Sequence, residues 1–282
     1  MIASALLLGG YVSKSLLFPR PPAVIKLEQE KPSSNAPEGH QDFTMQDLLN
    51  LAESSLNHLS QHLVDYTARF EKIETDTNHQ QMEKTVMRLK AQTRFRSPTL
   101  DAPRRIYMNF SEPSSIRGRE VIWGQDLYDG KMAVHEPGFL LSLKTIWLDP
   151  NGFLAMQGQK HPISEIGIVK LTEQLLEKGK QDLENPNLTI HLQIDHVYDD
   201  CKTHLITITK NPTAPIQGDY QRAEVVFDPE RNVVLAFRSY TAPELPSDPP
   251  QLIESYSYHD LQMNVGLTES DFDVTNSEYG FP

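Results

Sequence analysis

Alternation with a period of two recurs about ten times along this chain, and it constrains the fold more than any other feature. Val64, Tyr66, Ala68 and Phe70 alternate with Asp65, Thr67, Arg69 and Glu71. In the next run Met87, Leu89, Ala91, Thr93 and Phe95 share one face, and Arg88, Lys90, Gln92 and Arg94 the other. Ile106, Met108 and Phe110 then alternate with Tyr107 and Asn109. Such a pattern sets one face of a strand on a core and the other in water, which is the habit of antiparallel sheets. Shorter strands are expected at Glu120–Trp123 and Lys131–His135. Five more follow at Leu188–Val197, His204–Thr209, Arg222–Phe227, Val233–Tyr240 and Leu252–Asp260, with a turn signal at Asp228–Asn232.

Two segments carry the helical period instead. Thr44 is a candidate N-cap for a helix to about Leu63, with Met45, Leu48, Leu49, Ala52, Leu56, Leu59 and Leu63 on one apolar stripe. A second helix is expected from Ser164 to about Leu183, with Ile168, Val169, Leu171, Leu175, Leu176 and Leu183 over a wider arc. The order is helix, about five strands, helix, about five strands. It lacks the βαβ alternation of Rossmann and TIM architectures. The expectation is an α+β fold in which about ten antiparallel strands form a strongly curved sheet, a half-open barrel with the two helices on its concave side.

This domain is expected over residues 42–282. Residues 1–18 read as a signal or anchor segment: Ile2–Val12 is apolar, Leu16–Phe18 continues it, and residues 2–18 would span roughly 25 Å as a helix. An anchor, with Lys14 snorkelling, is favoured over a cleaved signal because no A-x-A cleavage site is evident. Residues 19–41 read as a linker, with Pro19, Pro21, Pro22, Pro32 and Pro37 among polar residues, a tether of up to about 70 Å.

Charge and motifs narrow the chemistry. Lys and Arg total 26 against 38 Asp and Glu, a net charge of −12 that excludes general nucleic-acid binding. A single cysteine, Cys201, excludes an internal disulfide framework and cysteine-based zinc sites. No GxSxG, HExxH, P-loop or dinucleotide fingerprint occurs. His58 and His62 stand four apart on a helix but lack an identifiable third ligand, and Cys201 with His204 lacks an orienting group. No catalytic residue, metal ligand or cofactor is therefore expected.

The charges are unevenly placed. Lys84, Arg88, Lys90, Arg94, Arg96, Arg104, Arg105, Arg117 and Arg119 face only Asp101 and Glu112 in that stretch, whereas no Lys or Arg follows Arg238. Two readings stand: the basic outer face complements the acidic C-terminal segment, or Arg88, Lys90 and Arg94 form a docking surface for an anionic headgroup or an envelope protein partner.

Several stretches resemble a bacterial family of unknown function, domain-of-unknown-function family 1571, over roughly residues 42–282. They are Asp65-Tyr66-Thr67, Arg105–Phe110, Gly118-Arg119-Glu120, Leu148-Asp149-Pro150 with Ala155-Met156, Pro162-Ile163-Ser164 with Gly167, and the closing Tyr256–Asp273 and Asn276–Phe281. Ser97–Arg104 departs from it, being longer and more polar. The family's order of elements is similar to that of periplasmic lipoprotein carriers of the LolA/LolB type, half-open barrels closed by helices that shield an acyl chain. The resemblance implies a non-catalytic protein on the periplasmic side of the bacterial envelope, held at the membrane by residues 2–18 or secreted after cleavage. Its partner would be a hydrophobic ligand or a lipoprotein acyl chain. A sixteen-carbon chain carries about 12 kcal/mol of transfer free energy, so its cavity must be wide and apolar. The inward-alternating candidates for its lining are Phe70, Met87, Leu89, Met108, Phe110, Ile190, Leu192 and Phe237, with Trp123 and Trp147 near loops. The competing reading is that they fill a solid core, leaving a scaffold module that works through its basic face.

Overall fold

In the computed structural model of the protein, which describes residues 43–75, 82–97, 101–138, 141–211, 219–242 and 250–282, the first element is helix α1 (Met45–His62). The anchor and linker expected in residues 1–41 lie outside the described residues. Thr44 starts α1 with a reciprocal cap: Asp47 N donates to Thr44 Oγ1 at 3.2 Å, and Thr44 N to Asp47 Oδ2 at 2.9 Å. Met45, Leu49 and Leu59 are buried along its stripe, as the spacing requires.

Eleven strands follow: β1 (Asp65–Glu74), β2 (Thr85–Gln92), β3 (Arg105–Glu112), β4 (Glu120–Gly124), β5 (Met132–His135), β6 (Ile146–Leu148), β7 (Leu188–Tyr198), β8 (Cys201–Lys210), β9 (Arg222–Asp228), β10 (Val233–Tyr240) and β11 (Leu252–Met263). They make one sheet in the order β6-β5-β4-β3-β2-β1-β11-β10-β9-β8-β7, antiparallel at every pairing. Each half is a meander of sequential hairpins, and the pairing of β1 with β11 joins the halves. Five of the ten pairings contain register shifts, at Thr67/Arg69, Val86/Met87, Gln193/His196, Val234/Ala236 and Ser239/Tyr240. A bulge bends its strand and sharpens the twist, so these positions help to curl a sheet whose outer strands β6 and β7 stay unpaired with each other.

The expected α+β class and curved antiparallel sheet are borne out, with four differences in detail. Strand β6 is three residues long, too short for periodicity to register. The second strand stops at Gln92 rather than Phe95, because Thr93 turns inward: its Oγ1 donates to Leu63 O at 2.6 Å and accepts from Phe95 N at 3.1 Å, starting one helical turn at Arg94–Arg96. The long helix, α3 (Ile168–Asp182), begins four residues later than Ser164. Gly167 sits at φ +126°, which a side-chain-bearing residue rarely adopts, and breaks helical propagation there. A short helix, α2 (Phe153–Met156), precedes it.

Helices α1 and α3 pack on each other and on β10. Gly179 permits that contact: a Cβ there would stand 2.8 Å from Leu49 Cδ2. The large core joins both helices to the inward residues of the sheet, among them Tyr66, Phe70, Leu89, Ile106, Ile206 and Val225. A second, smaller core lies on the opposite face. There Tyr107, Ile122 and Ala133 stand side by side across β3, β4 and β5 and are covered by Phe272 and Tyr279 of the C-terminal segment. Both faces of that half of the sheet are thus buried.

Candidate functional site

Inward positions on β8–β11 face the two long helices across empty space. Ile206 and Ile208 of β8, Ala223, Val225 and Phe227 of β9, and Val234 and Phe237 of β10 make one wall. Met45, Leu48, Leu49 and Ala52 of α1, with Leu171, Leu175 and Gly179 of α3, make the other. The cavity, partly open to solvent, measures about 400 Å³, within the range of small-molecule sites.

Polar groups gather at one end of this cavity. Lys160, His161, Lys178, Asp219, Tyr220, Ser239, Glu254 and Tyr256 all line it. Register explains the grouping: Ser239 pairs with both Ala223 and Glu254, so the start of β9, the end of β10 and the start of β11 lie together. Phe227 and Val234, paired beside the β9–β10 turn, lie at the other end, which is apolar. The cavity therefore has an apolar depth and a polar end, the arrangement that an amphiphilic guest requires.

The charged groups there are paired among themselves. Lys160 Nζ donates to Glu254 Oε2 at 2.6 Å, and His161 Nε2 stands 3.6 Å from the same oxygen, so the lysine is the closer partner. Tyr256 OH donates to Glu74 Oε1 at 2.8 Å. Beside Tyr220, Lys210 Nζ lies 2.7 Å from Asp219 and 3.0 Å from Asp182. Burial opposes ionisation of Glu254, but His161 and Lys160 overcome it and pull the carboxyl from its ordinary 4.5 down to about 2.

A pH dependence follows with a definite sign. Because folding lowers this pKa, the stabilisation is complete above about pH 4.5 and is lost as pH falls through about 2, and its size is of order 3 kcal/mol. Urea midpoints measured at pH 7, 5 and 3 fall toward the acid end in the wild type, and Glu254→Gln shows a smaller fall. An equal fall in both would refute the assignment.

A second cavity, of about 290 Å³, lies under the other half of the sheet. Met87, Met108, Phe110, Val121, Met132 and Val134 line it from β2–β5, and Leu154 and Ala155 from α2. Residues 157–166 contribute to both cavities, and a small space of about 30 Å³ beside Phe70, Lys72, Glu74 and Tyr258 shares lining residues with each. Arg104 holds the far end of that segment, donating to Ser164 O and Ile166 O at 2.6 Å each. Tyr258 OH and Tyr66 OH accept from Gly167 N at 3.2 Å and Ile168 N at 3.1 Å, capping α3 where glycine offers no side chain. Both tyrosines are buried, and burial raises the Tyr66 hydroxyl to about 12, so it stays a neutral acceptor. Arg104→Ala leaves two part-buried carbonyls without their donor, and we expect a stability loss of about 2 kcal/mol by urea denaturation.

The residues proposed from sequence fall in several places. Phe237 lines the first cavity, Met87, Met108 and Phe110 the second, and Phe70 the small third space. Leu89 and Trp123 are packed in the core outside both cavities, 1% and 5% exposed. Ile190 and Leu192 are half-buried on the edge strand β7. Trp147 is 45% exposed and tilts against Tyr128. Of the basic candidates, Arg88 is exposed, while Lys90 is 2.7 Å from Asp271 and 3.0 Å from Tyr279 OH. Arg94 lies 2.7 Å from Glu173 on α3. The three do not share one free surface. Lys90 meets the acidic C-terminal segment of its own chain, as the first reading of the charge pattern expected. The sequence marks the helix residues only as apolar stripes and the runs His204–Thr209 and Arg222–Phe227 only as strands, with no sign that they line a cavity.

Among the described residues no group of three His, Cys, Asp or Glu is placed to hold a metal ion. What the fold and cavities define is an α+β protein built on one curved, unclosed antiparallel sheet with apolar space under its helices. The sequence matches the profile of DUF1571, described as a protein of unknown function, over residues 63–281, and the chain belongs to that family, as its residues suggested. No curated protein matches the sequence. Among solved structures the chain is similar to a DUF1329 family protein from Desulfovibrio piger (11% identity, 81% of this chain and 97% of that one, TM-score 0.38). It is likewise similar to lipoprotein LppX of Mycobacterium tuberculosis (12%, 80% and 98%, TM-score 0.41). A LolA superfamily protein from Nitrosomonas europaea is a third (11%, 79% and 97%, TM-score 0.29). These are distant likenesses in chain path, at identities too low to carry a function across.

Proposed function

We infer that the protein is a non-catalytic binder of a hydrophobic ligand, the acyl chain of a lipid or lipoprotein, held in the cavity between α1, α3 and β8–β11. The observation that carries the reading is the cavity itself: about 400 Å³ of space with aliphatic and aromatic walls and its polar groups confined to one end. Each methylene moved from water into it is worth about 0.8 kcal/mol, so a chain of eight carbons brings roughly 6 kcal/mol before ordering costs. The charges at the polar end are already paired, Lys160 with Glu254 and Asp219 with Lys210, so the attraction is for hydrocarbon rather than for net charge. In this reading residues 42–282 are the carrier domain, and the apolar residues 2–18 with the Pro-rich 19–41 tether it on the periplasmic side of the envelope. The reading is preferred to an interaction module acting through Arg88, Lys90 and Arg94, because Lys90 and Arg94 are already engaged within the chain.

The test is uptake of a fluorescent fatty acid by the purified protein, with native mass spectrometry to count bound molecules. Saturable uptake at one molecule or more supports the reading. A well-folded protein that takes up none removes it.

A further inference from the structure

Residues 157–166 contribute to the first and second cavities, and among the described residues His161 is the one that lines both. His161 also lines the small space of about 30 Å³ beside Phe70 and Tyr258. Its neighbour Lys160 lines the first cavity, and Gln157 and Gln159 line the second. The segment is fixed in place by the neighbouring strands β1 and β11: Lys160 N donates to Glu74 Oε2 at 3.0 Å, Lys160 Nζ to Glu254, and Lys72 Nζ to Gln159. Its far end is fastened by Arg104. An anchored segment rich in polar residues thus contributes to two spaces, of about 400 and 290 Å³, whose linings share one imidazole.

We propose that the two cavities are the arms of a single site for a lipid with two acyl chains, one chain on each side of residues 159–161, its polar junction resting at Lys160 and His161. The inference rests on the acyl-chain reading above and goes beyond it by naming the ligand class. A single-chain amphiphile fills one arm at a time. A two-chain lipid places its second chain intramolecularly once the first has entered, and linkage of that kind strengthens binding by about 10²-fold or more without any new contact. On its strand side the second cavity carries Met87, Met108 and Met132, whose unbranched side chains adapt to a flexible guest, together with the polar Lys72 and Thr85 and the paired Arg119 and Glu136.

The experiment compares decanoate with didecanoylphosphatidylglycerol below its micellar concentration, using the full-length protein and native mass spectrometry. The expected results are two decanoates per protein at saturation, one diacyl lipid per protein, and loss of both decanoates when that lipid binds. The diacyl lipid also binds at least about 100-fold more tightly. His161→Trp fills the meeting point, and the ratio of diacyl to decanoate affinity falls by about tenfold or more, which is ~1.4 kcal/mol. A ternary complex of one diacyl lipid with one decanoate overturns the inference, as does decanoate binding with no diacyl advantage; either leaves the acyl-chain reading intact. Binding of neither ligand overturns both. Should the tryptophan variant fail to fold, the wild-type stoichiometries alone decide.

Discussion

Replacing Val225 with tryptophan lowers the affinity for a single-chain fatty acid by about 100-fold. Val225 is 3% exposed and stands mid-strand in the wall of the larger cavity, between Ala223 and Phe227. An indole there takes the volume of several methylenes. Excluding four of them from burial forfeits about 3 kcal/mol at ~0.8 kcal/mol each, or roughly two decades in affinity. Enlarging a filled core ordinarily costs about 1–3 kcal/mol in stability. Here the added atoms enter empty space, so the thermal midpoint stays near that of the wild type while uptake, read by fluorescence titration, is lost. A variant that unfolds shows that side chains already fill the space, and one that binds as before shows that the guest sits elsewhere.

The second large effect concerns stability. Phe272→Ala destabilises the protein by about 3–5 kcal/mol, a large share of the roughly 5–15 kcal/mol that holds a domain folded. Phe272 is 1% exposed and covers Tyr107, Ile122 and Ala133 on the outer face of the sheet. Its removal also loosens neighbouring contacts of the C-terminal segment: Tyr279 stacked on Tyr107 at 4.2 Å, Lys90 on Asp271, and Gly280 N on the buried Glu120 at 2.5 Å. In a chain of this size the thermal midpoint drops by about 10 °C. A drop below about 2 °C would mean that the segment is an appendage rather than a second layer.

Much of the fold was legible because alternation and helical stripes are direct consequences of burying one face. Tyr66, Phe70 and Leu89 all read as inward and all are inward. Which inward residues border empty space was not legible, since the period-two pattern records the sidedness of a strand and nothing of what stands opposite. Leu89 and Met87 are inward neighbours on β2, yet only Met87 faces a cavity. The difference lies in what packs opposite each residue, which no local pattern announces. Arg104 belongs to the stretch that departs from the family resemblance, and there its guanidinium grips two carbonyls some sixty residues further along the chain. For Lys90 the charge pattern suggests the acidic C-terminal segment as one candidate partner, but not Asp271 and Tyr279 in particular. Long-range closures of this kind are set by tertiary packing, and single-sequence periodicity does not contain them.

The seam between β1 and β11 carries a kinetic consequence. It pairs Tyr66 with Met263 and Glu74 with Glu254, so the middle of the sheet closes only when nearly the whole chain has been made. Until then β1 and β10 each present a bare row of amide and carbonyl groups, a template for pairing with the wrong strand. A ribosome-bound or C-terminally shortened chain that stops before residue 252 keeps both rows open, and it aggregates rather than yielding a smaller working version. Sheets whose central pairing spans so much sequence fold slowly, on the scale of milliseconds to seconds.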